Sequence, residues 1–191
     1  MKNMIVITLK LLIITLIAAI LLGVVNSVTK EPIAEQAAKE AEEARRSVFP
    51  EAASFEESTS VIPQEYALIK GVHTALDANG DEIGIVASVV TKGYSSGLNL
   101  TVGVGADGAV KGVIVGSHNE TPGLGAEASE EYFRGQYTGI PYSEPLTVVK
   151  NPPSADNEVQ AITGATITSR GVTNAVNAVA AYYTEEMGGA Q

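Results

Sequence analysis

The hydrophobic pattern divides the chain into three regimes. From Met4 to Val25 nearly every residue is apolar, and Lys10 is the one charge. These 22 positions reach about 33 Å as a helix, enough to cross a bilayer core. From Lys30 to Arg46 the apolar positions thin to a stripe of alanines at 34, 37, 38, 41 and 44. This predicts a polar helix, with Pro32 in its first turn, Pro50 as its stop, and Glu35/Lys39 and Glu42/Arg46 at the i,i+4 spacing. Such a helix is a solvated stalk or a partner contact. Glu51 to Gln64 is acidic, serine-bearing and without period, which reads as a linker.

From Tyr66 the pattern becomes strand-like. Tyr66–Leu76 and Ile83–Val90 flank Asn79-Gly80, and Leu98–Val104 and Val110–Val115 flank Asp107-Gly108. Both dipeptides favour the tight turns of β-hairpins, so a largely antiparallel sheet is expected. Ala126 to Tyr137 reads as a short amphipathic helix with Tyr132 and Phe133 turned inward. Leu146–Val149 reads as a short strand ended by Pro152-Pro153. In the last segment Val172, Ala175, Val176, Val179 and Tyr183 recur at helical spacing, predicting a helix from Arg170 capped by Thr168 or Ser169. The reading is an α+β chain in three parts. Residues 1–28 form a transmembrane anchor, 29–64 a helical stalk and linker, and 65–191 a domain whose mainly antiparallel sheet is flanked by helices.

Charge places this domain. From Glu51 onward there are six basic residues against 17 acidic ones. Such a surface repels nucleic acid and gains nothing from anionic lipid headgroups. Lys2 and Lys10 lie at the N-terminal end of the apolar segment, so the positive-inside rule puts the N-terminus in the cytoplasm and the domain outside it. Val25-Asn26-Ser27 is a poor cleavage site, which favours a retained anchor over a removed signal. The absence of cysteine excludes thiolate zinc sites, iron–sulfur clusters and cysteine nucleophiles. His73 and His118 stand apart with no ligand-spaced partner, so no metal site is expected. Any redox group is then organic and brought from outside.

Two stretches carry candidate chemistry. Thr163-Gly164-Ala165-Thr166-Ile167-Thr168-Ser169 places hydroxyls around a Gly-Ala turn that opens a helix. The first N–H groups of a helix lack internal partners and favour anions, so this pattern suits a phosphate seat as well as an ordinary capped turn. Thr121-Pro122-Gly123-Leu124-Gly125 is a rigid loop whose glycines admit close approach of a flat ligand, with Leu124 available to pack on its face. A plain strand-to-helix connection would look the same. Gly103-Val104-Gly105 is not a nucleotide fingerprint, because a hairpin follows it.

In order, a single anchor, Gly93-Tyr94, Glu120-Thr121-Pro122-Gly123-Leu124-Gly125 and Thr163-Gly164-Ala165-Thr166 resemble the FMN-binding domain family. The whole chain is similar to its membrane-anchored branch, found in the Rnf-type ferredoxin:NAD and the sodium-pumping NADH:quinone ion-translocating oxidoreductases. The resemblance implies a covalent FMN, esterified through its phosphate to the residue matching Thr166. Thr163, Gly164, Ala165, Thr168 and Ser169 would lie about the phosphate, and Thr121, Leu124 and Gly125 near the ring. It implies electron transfer coupled to Na⁺ or H⁺ movement. The implied partners are the other subunits of an Rnf-type membrane complex, its membrane-embedded flavin and iron–sulfur subunits among them, with a flavin transferase during maturation. The family usually has Asp where this chain has Gln160, which keeps hydrogen bonding but drops the charge. A stand-alone anchored flavoprotein and a cofactor-free anchored binding domain are the rival readings.

Overall fold

The computed structural model describes residues 2–188 and, for Lys2, the backbone alone, so the Lys2 charge used for orientation lies outside the described side chains. Residues up to Glu42 and residues from Glu43 on form two compact units. In the first, a single helix begins at Lys2; the helix as a whole, α1, spans Lys2–Val48. The anchor and stalk expected as separate elements are therefore continuous, and Pro32 sits inside the helix rather than in a first turn. An 18-residue window of it has a mean hydropathy of 2.9 and is wholly exposed, as a membrane span requires. The hydroxyls there bond back to their own helix, Thr8 to Met4 O at 2.9 Å and Thr29 to Val25 O at 2.8 Å, so no polar group faces outward unpaired at these positions.

The second unit is built on a five-stranded antiparallel sheet, β1 (Ser54–Glu57), β2 (Ile69–Leu76), β3 (Glu82–Lys92), β4 (Ser96–Gly105) and β5 (Val110–Val115), in chain order. The two hairpin turns form as the dipeptides dictate, with Gly80 and Gly108 at φ of 88° and 82°. β1 is a correction. Residues 54–57, expected as linker, pair with β2 in the register Ser54↔Leu76 to Glu57↔His73. Its acidic residues hid it, and an edge strand tolerates them because one side faces solvent.

Alternation along β3 sends Ile85 and Ala87 to one face of the sheet and Val86 to the other. The first face packs on the final helix, α3 (Thr166–Glu186), through Val172, Ala175, Val176, Val179 and Tyr183, all buried. The second face is covered by Val48 and Phe49, which pack on Ala75 and Val86. Gly103 and Gly84 make room for them. A Cβ would lie 2.4 Å from Val48 Cγ1 at Gly103 and 2.9 Å from Phe49 Cε2 at Gly84.

The helix expected over 126–137 is broken into a 3-10 turn at Gly125–Ser129, one α turn, α2 (Glu131–Arg134), and a second 3-10 turn at Gly135–Tyr137. Phe133 is buried as expected, but Tyr132 is 60% exposed. The break at Glu130 rotates the face, so the inward positions become Phe133 and Tyr137. Two short strands, β6 (Thr147–Val149) and β7 (Glu158–Gln160), pair in parallel as a separate small sheet. The first of them matches the expected strand.

Candidate functional site

The start of α3 is set by the backbone of the turn before it. Gly164 takes φ of 79°, which only a residue without a Cβ adopts at low cost. Ala165 N–H donates to Ile162 O at 2.9 Å, closing the turn. Helical geometry then begins at Thr166, four residues earlier than expected, with Ala165 as the N-cap residue and no side-chain cap. The backbone N–H groups of the first turn are left without a capping oxygen.

Thr168 and Ser169 do not cap. Both are fully buried. Ser169 Oγ donates to Ala165 O and accepts Ile162 N–H, each at 3.0 Å, which pins the turn to the helix. Thr168 Oγ1 donates to Glu120 Oε2 at 2.7 Å. Glu120 is 6% exposed, and its other oxygen accepts Ser95 N–H at 2.9 Å. One carboxylate thus joins the β3–β4 turn, the loop after β5 and the first turn of α3. Packing there is tight. A Cβ on Gly125 would lie 2.1 Å from Glu120 Oε2, one on Gly93 2.4 Å from Glu120 Oε1, and one on Gly171 2.6 Å from Lys92 O.

These segments wall an open cavity of about 690 Å³. Eight of the nine residues singled out from sequence line it: Thr121, Leu124 and Gly125 from the loop after β5, and Thr163, Gly164, Ala165, Thr166 and Thr168 from the turn into α3. Ser169 is the exception, since its hydroxyl is engaged within the turn. Tyr94 and Lys150 line the cavity as well. Leu124 is 42% exposed, and its Cδ2 comes within 3.0 Å of where a Gly164 Cβ would stand, so the two motifs meet across the cavity. Thr121 O accepts the N–H groups of Leu124 and Ala126, which folds the loop back on itself.

Glu120, Tyr94 and Lys150 were missed as candidate site residues. The first two lie inside motifs that the sequence offers, but nothing there signals that Glu120 is buried. Lys150 follows a three-residue strand and has no motif of its own. Gln160 lies beside a smaller second cavity, its backbone gripped by Gln136, whose Oε1 accepts Gln160 N–H at 2.8 Å while Nε2 donates to Gln160 O at 3.3 Å.

A family model described as FMN-binding domain matches residues 93–181, which take in all of the cavity's lining. Over 177 residues the chain is 37% identical to the G subunit of the Na⁺-translocating ferredoxin:NAD⁺ oxidoreductase complex of Acetobacterium woodii, covering 87% of this chain and 85% of that protein. The chain belongs to the family of G subunits of ion-translocating oxidoreductase complexes. Another G subunit, from Methanosarcina acetivorans, is 29% identical over 93% of each chain. Among solved structures, NqrC of Shewanella oneidensis aligns with a TM-score of 0.50 at 26% identity, covering 68% of this chain and 65% of its own. The C subunit of the Na⁺-translocating NADH-quinone reductase of Parabacteroides distasonis aligns at 0.51 and 25%, covering 60% and 61%. FMN is accordingly the cofactor of this chain, and the chain is membrane-anchored. It is a non-autonomous, electron-transferring part of an oxidoreductase.

Proposed function

We propose that this G-type subunit relays electrons through an FMN esterified to Thr166, outside the cytoplasm. The observation that carries the reading is the coincidence, at one cavity-lining residue, of a hydroxyl, an uncapped helix start and a glycine turn. The linkage needs a nucleophilic oxygen and then donors for the phosphate, and Thr166 with the first-turn N–H groups offers both. The residues fit the rest of the group as well. The cavity is within the usual size of cofactor pockets, roughly 300–1,000 Å³, and Leu124, Ile162 and Ala165 give it apolar wall.

Bound there, FMN supplies reversible uptake of electrons. The chain would hold it as follows: Gly164 and Gly125 would permit close approach, Thr163 and the first turn of α3 would hold the phosphate, and Thr121 and Leu124 would lie against the ring. A flavin transferase would take the flavin phosphoryl group from a flavin dinucleotide: the Thr166 Oγ1–P bond forms, the donor's pyrophosphate P–O bond breaks, the nucleoside monophosphate leaves and the hydroxyl proton passes to a base. It would read the turn with Gln160 in place of the usual acid. The covalent bond makes retention independent of free FMN, which is scarce outside the cytoplasm. Its partners are the other subunits of an Rnf-type complex, membrane-embedded flavin and iron–sulfur subunits among them, and the overall reaction couples ferredoxin and NAD to ion movement. One relative is named for Na⁺ and another, from Clostridium ljungdahlii, for protons. The anchor orients the chain with its N-terminus in the cytoplasm.

The test is in-gel flavin fluorescence of denatured protein from its native membranes. The wild-type band fluoresces and a Thr166→Ala band of equal protein stain is dark. Equal fluorescence in both would falsify the site assignment. Iron–sulfur and NAD-binding partners co-purify after mild detergent extraction; recovery of this chain alone favours the stand-alone flavoprotein.

A further inference from the structure

Glu120 is the one carboxylate among the described residues that line the cavity. Its two oxygens each face a donor, Ser95 N–H and Thr168 O–H. A carboxylate that accepts at both oxygens and donates nowhere is satisfied in its ionised, acceptor-only form. Its surroundings admit no substitute atom, since Gly93 and Gly125 are both within contact of it. His118 completes the clasp from behind, its Nδ1 accepting Glu120 N–H at 3.3 Å while Nε2 lies 3.2 Å from Ser129 Oγ. The side chain is therefore fixed in place, buried, and held by two other segments of the chain.

We infer that Glu120 is a positioning residue that ties the cavity's three walls together and holds a fixed negative charge against the bound flavin, making the flavin harder to reduce. This rests on the proposal that FMN occupies this cavity. The charge argument is elementary. An electron added to a group is opposed by a nearby anion, and the opposition is larger when the anion is buried, as Glu120 is, than in water. Lys150 is the one cation among the described lining residues, but it is exposed, so water screens it more than it screens Glu120. The pair would set the potential by difference, with the buried member dominant. An anionic wall also suits a relay, because it favours release of an electron to the next carrier.

The experiment uses the full membrane-anchored chain with its flavin, as Glu120→Gln and Glu120→Asp beside wild type. Flavin potential is read by spectroelectrochemistry, and attachment by fluorescence of the denatured band. Gln keeps the shape and removes the charge; Asp keeps the charge and shortens the reach. The expected result is attached flavin in all three, with reduction of Glu120→Gln favoured about tenfold over wild type, which is about 59 mV for one electron. Glu120→Asp moves by less than a third of that. Equal shifts in both variants, or none in Glu120→Gln, overturn the charge role. If the Gln variant does not fold, the infrared difference spectrum of wild type on reduction decides. A shifted carboxylate stretching band supports the inference and an unshifted one overturns it. Flavin missing from wild type would instead overturn the FMN site itself.

Discussion

Tyr137 and Thr173 meet at 2.7 Å in the core, phenol to hydroxyl. Thr173 Oγ1 donates its own hydrogen to Ser169 O at 3.0 Å, so Tyr137 is the donor to Thr173. Ser169 Oγ in turn bonds Ala165 O and Ile162 N–H. A line of hydroxyls thus runs from the middle of the core to the turn that presents Thr166. Removing the two ends of the first bond has unequal cost. Tyr137→Phe deletes the donor and leaves Thr173 one bond, for a loss of about 1 kcal/mol. Thr173→Val strands a buried phenol and loses roughly 1–3 kcal/mol. Urea unfolding of the domain distinguishes them, with Thr173→Val the less stable.

Gly125→Ala is expected to disturb the site more than the fold. The new methyl would stand 2.1 Å from Glu120 Oε2 and 2.7 Å from Thr168 Oγ1, so the carboxylate must leave its place. Overpacking of this kind costs roughly 1–3 kcal/mol. Gly123 is the control: its φ is 73° but the space around it is open. Gly123→Ala therefore carries backbone strain alone and leaves the Glu120 clasp intact. Flavin absorbance, band position and sharpness, should change in the first variant and stay in the second.

Phe49→Ala should destabilise the domain by about 3–5 kcal/mol, as for other buried Phe truncations. Phe49 is almost wholly buried against the sheet face opposite α3, with Lys111 Nζ 5.6 Å from its ring centre. A loss of less than about 1 kcal/mol in thermal unfolding would show that this face is not part of the folding unit.

Stability should also fall in mild acid. Burial holds the His73 imidazole below its ordinary value near 6.5, the Arg45 guanidinium adds to this, and Glu57 opposes both. Because the folded state binds its proton less readily, unfolding takes up a proton below pH 6.5. The His73 contribution is complete above pH 6.5 and is lost as pH falls toward the folded value. A urea midpoint that declines from about pH 7 to about pH 5 in wild type, and declines less in His73→Gln, is the expected outcome. Identical slopes would contradict it.

How much of this was legible in the chain depends on what each element buries. The two hairpins and α3 announce themselves because Asn79-Gly80, Asp107-Gly108 and the Val172–Tyr183 spacing are local signals. The cavity-lining motifs were legible for the same reason. β1 was not, since Phe55 is flanked by Ser54, Glu56 and Glu57, and an exposed edge needs no apolar alternation. Val48 and Phe49 close a polar helix, and only the glycines at 84 and 103, far along the chain, reveal their seat. Glu120 was unreadable on principle: a lone Glu is ordinarily a surface residue, and its three clasping partners come from residues 95, 118 and 168. Thr168 and Ser169 look like caps in sequence and are instead buried links, because the helix starts before them.

The most direct test of the account is intact and peptide-level mass spectrometry of the protein extracted from its native membranes. The account predicts one FMN, less one water, on the peptide containing Thr166, with the ester localised to that residue and absent in Thr166→Ala. A fully unmodified Thr166 peptide, or the same flavin found on Thr163 or Thr168, would contradict it.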